Sequence, residues 1–366
     1  MKLGIIGLPN VGKSTLFNAI TRAHAEVANY PFCTIDPNIG TVCVPDNRLN
    51  TLKKIYKAKK TIPAFIEFVD IAGIVKNASN GEGLGNQFLA HIKEASAIIH
   101  IVRCFNDANI VNVMDTVNPI RDIDIVNTEL ILSDIMSISK KLEKLEKLLR
   151  FSQSNSKIVR ELILAKKIKD HLNSGKTVNS LELDDDEKII LKDFFLISSK
   201  PVLYVCNISE NDLPLMRNKY TEAVKEKLKY ERSGGTISLC VKIEAELSEF
   251  HKIDQEIFLK NLGMKELGLN GLIRAGYNLL NLITFFTAGN LEIKAWTIKN
   301  GILAQQAAGI IHSDFDRGFI RAKVLNFNDL FKFGDEKIAK NAGLLKNEGK
   351  KYLIKDGDII EFVFAI

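Results

Sequence analysis

The chain has 366 residues, 46% apolar and 26% charged, with a formal net charge of +6. That length allows two or three domains with a full buried core. No apolar run reaches about 18 residues, which excludes a spanning helix, and the charge excess is modest, so its location matters more than its size.

Met1-Lys2 leads directly into a short apolar run at residues 2–8. It lacks the longer apolar stretch and cleavage site of a signal peptide, so a cytoplasmic protein with no membrane partner is expected. Five cysteines (Cys33, Cys43, Cys104, Cys206, Cys240) are widely scattered with no CxxC pair. That spacing argues against a zinc site or a disulfide framework and for free, mostly buried thiols.

Residues 2 to about 125 alternate short apolar runs with helical or loop stretches. The runs at 2–8, 64–69 and 97–102 read as buried parallel strands of an α/β fold. The character then changes. Ile131, Ile135, Ile138, Leu142, Leu145 and Leu149 follow the a/d spacing of a coiled coil. A polar stretch, Ser152-Gln-Ser-Asn-Ser156, interrupts it, and Ile158, Leu162, Ala165 and Leu172 continue near the same period. An antiparallel helical hairpin is expected. Residues 127–180 carry 11 Lys/Arg against 6 Asp/Glu, so most of the basic excess lies here. An RNA-facing arm and a solvated helical face are both open on charge alone.

Residues 201–206 and 235–240 restore the strand pattern, so the hairpin reads as an insertion within one domain. From about Leu279 the segments 292–298, 319–325, 352–354 and 359–364 read as strands, with a short helix near 303–308. The expected division is a nucleotide-binding core at 1–126 and 199–280, a helical insertion at 127–198, and a small β-grasp domain at 281–366.

Gly7-Leu-Pro-Asn-Val-Gly-Lys-Ser14 fits the Walker A pattern, after a strand and opening a helix. Its glycines let the backbone wrap around phosphates so that N–H groups point at them. The loop Asn10, Val11, Gly12, Lys13, Ser14 and Thr15 is expected to hold the nucleotide. Lys13 would neutralise the β- and γ-phosphates, Ser14 would coordinate Mg²⁺, and Thr15 would lie near the α-phosphate.

Asp70-Ile-Ala-Gly73 follows the apolar run Phe65-Ile-Glu-Phe-Val69, the Walker B arrangement. Asp70 would hold Mg²⁺ through a water, and the Gly73 N–H would sense the γ-phosphate. Thr34, 20 residues past Ser14, is the natural switch threonine for the metal. Asn80-Gly-Glu-Gly-Leu-Gly-Asn86 reads as a second switch, a loop ordered by the γ-phosphate.

Guanine-specific proteins place Asn-Lys-x-Asp after a late strand, where the Asp takes two hydrogen bonds from the base and the Lys packs over its ring. Here that place holds Asn207-Ile208-Ser209-Glu210. The Lys is missing and the acid is longer by one methylene. Moving the carboxylate removes the guanine preference, so ATP is expected over GTP.

These motifs, with Asn29-Tyr-Pro-Phe-Cys-Thr-Ile-Asp-Pro-Asn38, Asp70-Ile-Ala-Gly-Ile-Val-Lys76 and Gly81-Glu-Gly-Leu-Gly-Asn-Gln-Phe88, resemble the YchF/Obg-like ATPase family. Phe286-Thr-Ala-Gly289, Lys294-Ala-Trp-Thr-Ile298 and Gln306-Ala-Ala-Gly-Ile-Ile-His-Ser-Asp-Phe315 resemble its ubiquitin-like TGS domain. The resemblance covers nearly the whole chain. It implies a GTPase-like core, a helical insertion, a TGS domain, ATP hydrolysis with Mg²⁺, and association with ribosomes. It also places base contacts on Asn207 and Glu210, with a main-chain adenine contact at Ile208.

Two positions bear on catalysis. Ile74 stands where a water-orienting Gln occurs in Ras-like enzymes, and Asn112 aligns with a His that the family often carries. Neither can act as a base near neutral pH. His91 and His100 read as packing histidines. The leading expectation is therefore a slow, ribosome-associated ATPase switch with Mg²⁺ and ATP, contacting RNA but not DNA through hairpin and TGS domain. A GTP-specific translation-type GTPase and a nucleotide-dependent adaptor with negligible hydrolysis are the alternatives.

Overall fold

The computed structural model describes residues 1–23, 38–71, 91–110, 116–151, 156–213, 215–229 and 234–365. The expectations at Thr34, Gly73, Ile74, Asn112 and residues 80–86 fall outside these. The described residues form strands β1 (Lys2–Ile6), β2 (Ile39–Cys43), β3 (Lys60–Ile62), β4 (Phe65–Asp70), β5 (Ala97–Arg103), β6 (Val202–Asn207), β7 (Thr236–Leu239), β8 (Leu282–Ala288), β9 (Glu292–Lys299), β10 (Phe319–Asn326), β11 (Lys346–Glu348) and β12 (Asp358–Phe364). The helices used below are α1 (Lys13–Ala23), α2 (Arg48–Tyr56), α3 (Pro119–Phe151), α4 (Ser156–Asn173), α5 (Asp185–Lys192), α6 (Lys219–Leu228), α7 (Val241–Leu247), α8 (Lys252–Asn261), α9 (Gly268–Leu279) and α10 (Ala304–Ile311).

The strands make two six-stranded sheets, in the orders β2-β4-β1-β5-β6-β7 and β11-β10-β12-β8-β9-β3. In the first, β1 pairs in parallel with β4 and β5, and β5–β6 and β6–β7 are also parallel. Every residue of β5 is buried, as expected of a strand covered on both faces. The chain leaves β1 for β4 on one side and reaches β5 on the other, so the crevice beyond the C-terminal end of β1 is a topological switch point.

Two compact units result. One holds Met1–Thr41 and Glu67–Leu272; the other holds Val42–Ile66 and Ile273–Ile366. The order of motifs gave no sign that 42–66 groups with the C-terminal part. The physical reason is that Lys60–Ile62 pairs in parallel with Glu292, Ile293 and Lys294 of β9.

In the first unit, α3 begins at Pro119, a position where the missing N–H leaves no helical bond unmade. Ile131, Ile138, Leu142 and Leu145 of α3 are buried with Leu162, Leu164, Ala165, Ile168 and Leu172 of α4, and Ile135, Leu149 and Ile158 pack at the margin. Burying each such leucine or isoleucine contributes about 1.5–3 kcal/mol before entropy is counted. Asp134, fully buried on α3, accepts hydrogen bonds from the Ile197 N–H (2.8 Å), the Ser198 N–H (2.7 Å) and the Ser198 hydroxyl (2.6 Å). It ties α3 to the segment that returns into β6.

In the second unit, Phe285, Ile298, Val324, Ile360 and Phe362 form a core under Ala304, Ala307 and Ala308 of α10. Strand β8, which sequence periodicity did not single out, lies between β12 and β9. Residues 352–354 are a correction. They form no strand, only an isolated bridge between Leu353 and Leu303. Their neighbour is the start of α10, where Ala304 N–H bonds the Tyr352 carbonyl and the helix ends any ladder.

Candidate functional site

At the C-terminal end of β1, a Cβ on Gly7 would lie 2.8 Å from the Ile101 carbonyl oxygen of β5, so no larger residue fits there. Asn10 (φ 63°) and Gly12 (φ 98°) take left-handed backbone conformations before α1 opens at Lys13. Such a loop, between a buried strand and a helix N-terminus, is suited to presenting main-chain N–H groups to an anion.

Three side chains converge beside it. Lys13 forms an ion pair with Asp70, and the Ser14 hydroxyl donates to the second Asp70 oxygen at 3.2 Å. Asp70 is brought there by register, because it lies opposite Ile5 in the parallel β1–β4 pair. A hydroxyl and a carboxylate are the hard oxygen donors that Mg²⁺ takes one or two at a time, leaving its other positions to water and phosphate. The donor chemistry fits that ion.

On the far side, β6 ends in Asn207. Its Nδ2 donates to the Val11 carbonyl at 2.9 Å, and its Oδ1 accepts the Val241 N–H at 3.1 Å. Ile208 is buried, and its N–H donates to the Leu239 carbonyl at 2.9 Å. Ser209 caps a short turn by bonding Asp212 through its hydroxyl at 2.8 Å. Glu210 follows and pairs with Lys242 at 2.6 Å. That partner holds the Lys242 ammonium above its ordinary pKa.

A cleft of about 680 Å³ lies between these groups, running from Asn10, Gly12 and Thr15 to Asn207–Glu210 and Lys242. Its third wall is the loop after β5, with Phe105, Asp107 and Ile110. The buried Arg103 guanidinium holds that loop by donating to the Phe105, Asp107 and Ile110 carbonyls at 3.2, 3.1 and 3.2 Å. It also lies over the Phe105 ring, 4.8 Å from its centroid.

Thus Asn10, Gly12, Thr15, Asn207, Ile208 and Glu210 line one cleft, with Lys13, Ser14 and Asp70 meeting at the phosphate loop. Val11 is buried and contributes its carbonyl to Asn207. Sequence reasoning missed Lys242, Phe105 and Arg103. The signal was available for two of them: residues just past the C-terminal ends of β5 and β7 face a switch-point crevice. His100 is buried against Tyr204, ring centroids 5.3 Å apart, and burial pushes it down to about 3, so it stays neutral. Cys104, Cys206 and Cys240 are buried free thiols, and Cys43 is half-buried.

Residues 2–159 match a family described as a 50S ribosome-binding GTPase, and residues 282–365 match the YchF-GTPase C-terminal family, described as a protein of unknown function. The ribosome-binding ATPase YchF of Bacillus subtilis is 48% identical over 363 residues, covering 99% of each chain. The protein of the same name from Escherichia coli O157:H7 is 45% identical over 365 residues, covering 100% of this chain and 99% of its own. The chain belongs to the YchF family. A solved YchF GTPase from Schizosaccharomyces pombe superposes with a TM-score of 0.89 at 38% identity, over 99% of this chain and 97% of that one. The α/β, P-loop GTPase-like fold is thereby shared with a YchF protein along nearly its entire length. Among the described residues, no helix is long and apolar enough to cross a membrane.

Proposed function

We propose that the chain is an ATP-binding and ATP-hydrolysing switch that associates with ribosomes. The observation that carries it is the meeting of Lys13, Ser14 and Asp70 at the phosphate loop, whose Gly12 and Thr15 line a cleft that runs on to Ile208 and Glu210. Lys13 and the N–H groups of residues 10–15 take the triphosphate. Ser14 and Asp70, with Thr34, hold Mg²⁺, which neutralises charge on the phosphate oxygens when bound. The Gly73 N–H is assigned to the γ-phosphate.

The base reading rests on hydrogen-bond polarity. With its N–H committed to Leu239, Ile208 can meet a base only through its carbonyl, an acceptor. Adenine offers an amino donor at its 6-position, where guanine offers a carbonyl oxygen. Two facing acceptors repel, and an unpaired polar group in a closed site discriminates strongly. ATP is therefore favoured over GTP. Competition of ATP and GTP for the purified protein tests this directly, and equal or tighter GTP binding would overturn it.

The curated relatives are named ribosome-binding, which supports the same partner here. We assign the contact to α3 and α4, read as a helical hairpin, and to the β8–β12 sheet, read as a TGS domain. Lys140, Lys144, Lys147 and Arg150 are exposed along α3, suited to neutralising RNA phosphates. Ile74 and Asn112 favour slow turnover, since neither residue type can act as a general base. Single-turnover phosphate release, with Lys13→Ala as the blank, separates a slow ATPase from an adaptor that only binds nucleotide.

A further inference from the structure

We propose that Lys242 sets the base preference of this cleft, by holding the Glu210 carboxylate away from the edge of the base. The inference rests on the reading above that the Asn207–Glu210 end of the cleft receives the base.

The two side chains reach toward each other from different loops. Glu210 follows β6, in a turn fixed by the Ser209–Asp212 hydrogen bond, and Lys242 stands in the first turn of α7. Both stretches are anchored on the end of β6, because the Val241 N–H is bound to Asn207 Oδ1. The backbones are therefore fixed and only the side chains are adjustable. Their ion pair, at 2.6 Å, spans the cleft with 70% of Lys242 and 47% of Glu210 exposed. A pair so exposed contributes little to folding. Its effect is on what the cleft presents.

A free carboxylate here would offer two acceptors to guanine, whose N1–H and 2-amino group are both donors. Bound to an ammonium, its charge and lone pairs are already engaged. In guanine-specific motifs a Lys directly after the Asn covers the ring. Here that position is Ile208, which is 2% exposed and turned into the core. Lys242 brings a cationic side chain to the cleft from the opposite loop. It acts on selectivity through Glu210, as a positioning residue.

The test is competition of ATP, GTP and inosine triphosphate against a fluorescent ATP analogue on the full chain. Inosine keeps the N1–H and the 6-carbonyl but lacks the 2-amino group, so it reports the N1–H part of the carboxylate contact without the 2-amino part. The proteins are the unsubstituted chain, Lys242→Gln, Lys242→Met, Glu210→Gln and the Lys242→Gln/Glu210→Gln double variant. Lys242→Gln should raise GTP and inosine triphosphate affinity relative to ATP by about tenfold, or ~1.4 kcal/mol. Lys242→Met keeps the methylene stem and should behave alike if charge is the cause. Glu210→Gln should keep the ATP preference, and the double variant should resemble it, because the lysine then has no carboxylate to restrain. A Lys242→Gln ratio within twofold of the unsubstituted protein, with ATP still preferred there, overturns the role of Lys242 and leaves the base reading standing. A preference of the unsubstituted protein for GTP overturns both.

Discussion

Asn207 donates from Nδ2 to the Val11 carbonyl at 2.9 Å, joining the end of β6 to the phosphate loop. Its Oδ1 at the same time takes the Val241 N–H at the start of α7. One buried carboxamide thus holds two walls of the cleft in register. Gly12 must be glycine for the same reason, since a Cβ there would lie 2.6 Å from Asn207 Nδ2 on a backbone already at φ 98°.

Replacing Asn207 by Ala strands a buried carbonyl and a buried N–H. The expected loss is about 1–3 kcal/mol, read as a lower urea midpoint with unchanged slope. ATP affinity should fall with it. Asn207→Asp should be at least as damaging, because a carboxylate oxygen would then face the Val11 carbonyl. A midpoint equal to that of the unsubstituted protein would show that the clamp holds nothing.

The Lys13, Ser14 and Asp70 cluster predicts a separable pair of defects. Lys13→Ala should weaken ATP about 10-fold or more, with or without Mg²⁺, as expected for loss of a charge-assisted bond. Asp70→Asn should instead remove the gain in affinity that Mg²⁺ gives, leaving binding in chelator unchanged or improved. Titration calorimetry in Mg²⁺ and in chelator distinguishes them, and an undiminished Mg²⁺ effect in Asp70→Asn would refute the metal assignment.

Glu244 predicts a pH dependence of stability. It is buried on α7 and accepts the Gly268 and Leu269 N–H groups at the start of α9, at 2.8 and 3.2 Å. Burial pushes its carboxyl up from 4.5 to about 7, outweighing those two donors. The folded state therefore keeps a proton that the unfolded chain loses near pH 4.5. Its contribution is full below that value and declines as pH rises through about 7. Glu244→Gln should flatten this window. Between about pH 5 and pH 7.5 the unsubstituted protein should lose roughly 1–3 kcal/mol relative to the variant in urea melts. His100, held neutral, loses stability in the opposite direction, as pH falls below 6.5, and cancels in the comparison. Parallel pH profiles would refute the assignment.

The exposed lysines of α3 give the fourth test. Lys140, Lys144 and Lys147, changed together to Glu, should weaken co-sedimentation with ribosomes and reduce its log-log salt slope by up to about one per lysine. Lys141 is left out because it pairs with Glu161 at 3.3 Å and lies 5.1 Å from the Phe194 ring centroid, where a change would disturb packing. Binding unchanged at matched salt would remove the helices from the interface.

The sequence by itself determined what is local. Gly7 and Gly12 at fixed spacing before Lys13-Ser14 specify a phosphate loop, because Gly7 passes too close to the Ile101 carbonyl for a Cβ and Gly12 takes a left-handed angle. The apolar runs that became β1, β5 and β6 were legible because strands buried on both faces are nearly continuously apolar, and β4 because its buried Ile66, Phe68 and Val69 dominate a short run. The seam from Ile131 to Leu149 was legible because helical burial repeats with a fixed period. The grouping of residues 42–66 was not, because the pairing of β3 with β9 over more than 200 positions leaves no local mark. The Lys13–Asp70 contact depended on the β1–β4 register, and the Asn207–Val11 and Glu210–Lys242 contacts on the order of strands in the first sheet. Chemistry was written in residue types along the chain. Which of them meet was decided only when distant segments paired, since a hydrogen bond forms within about 3 Å whatever the separation in sequence.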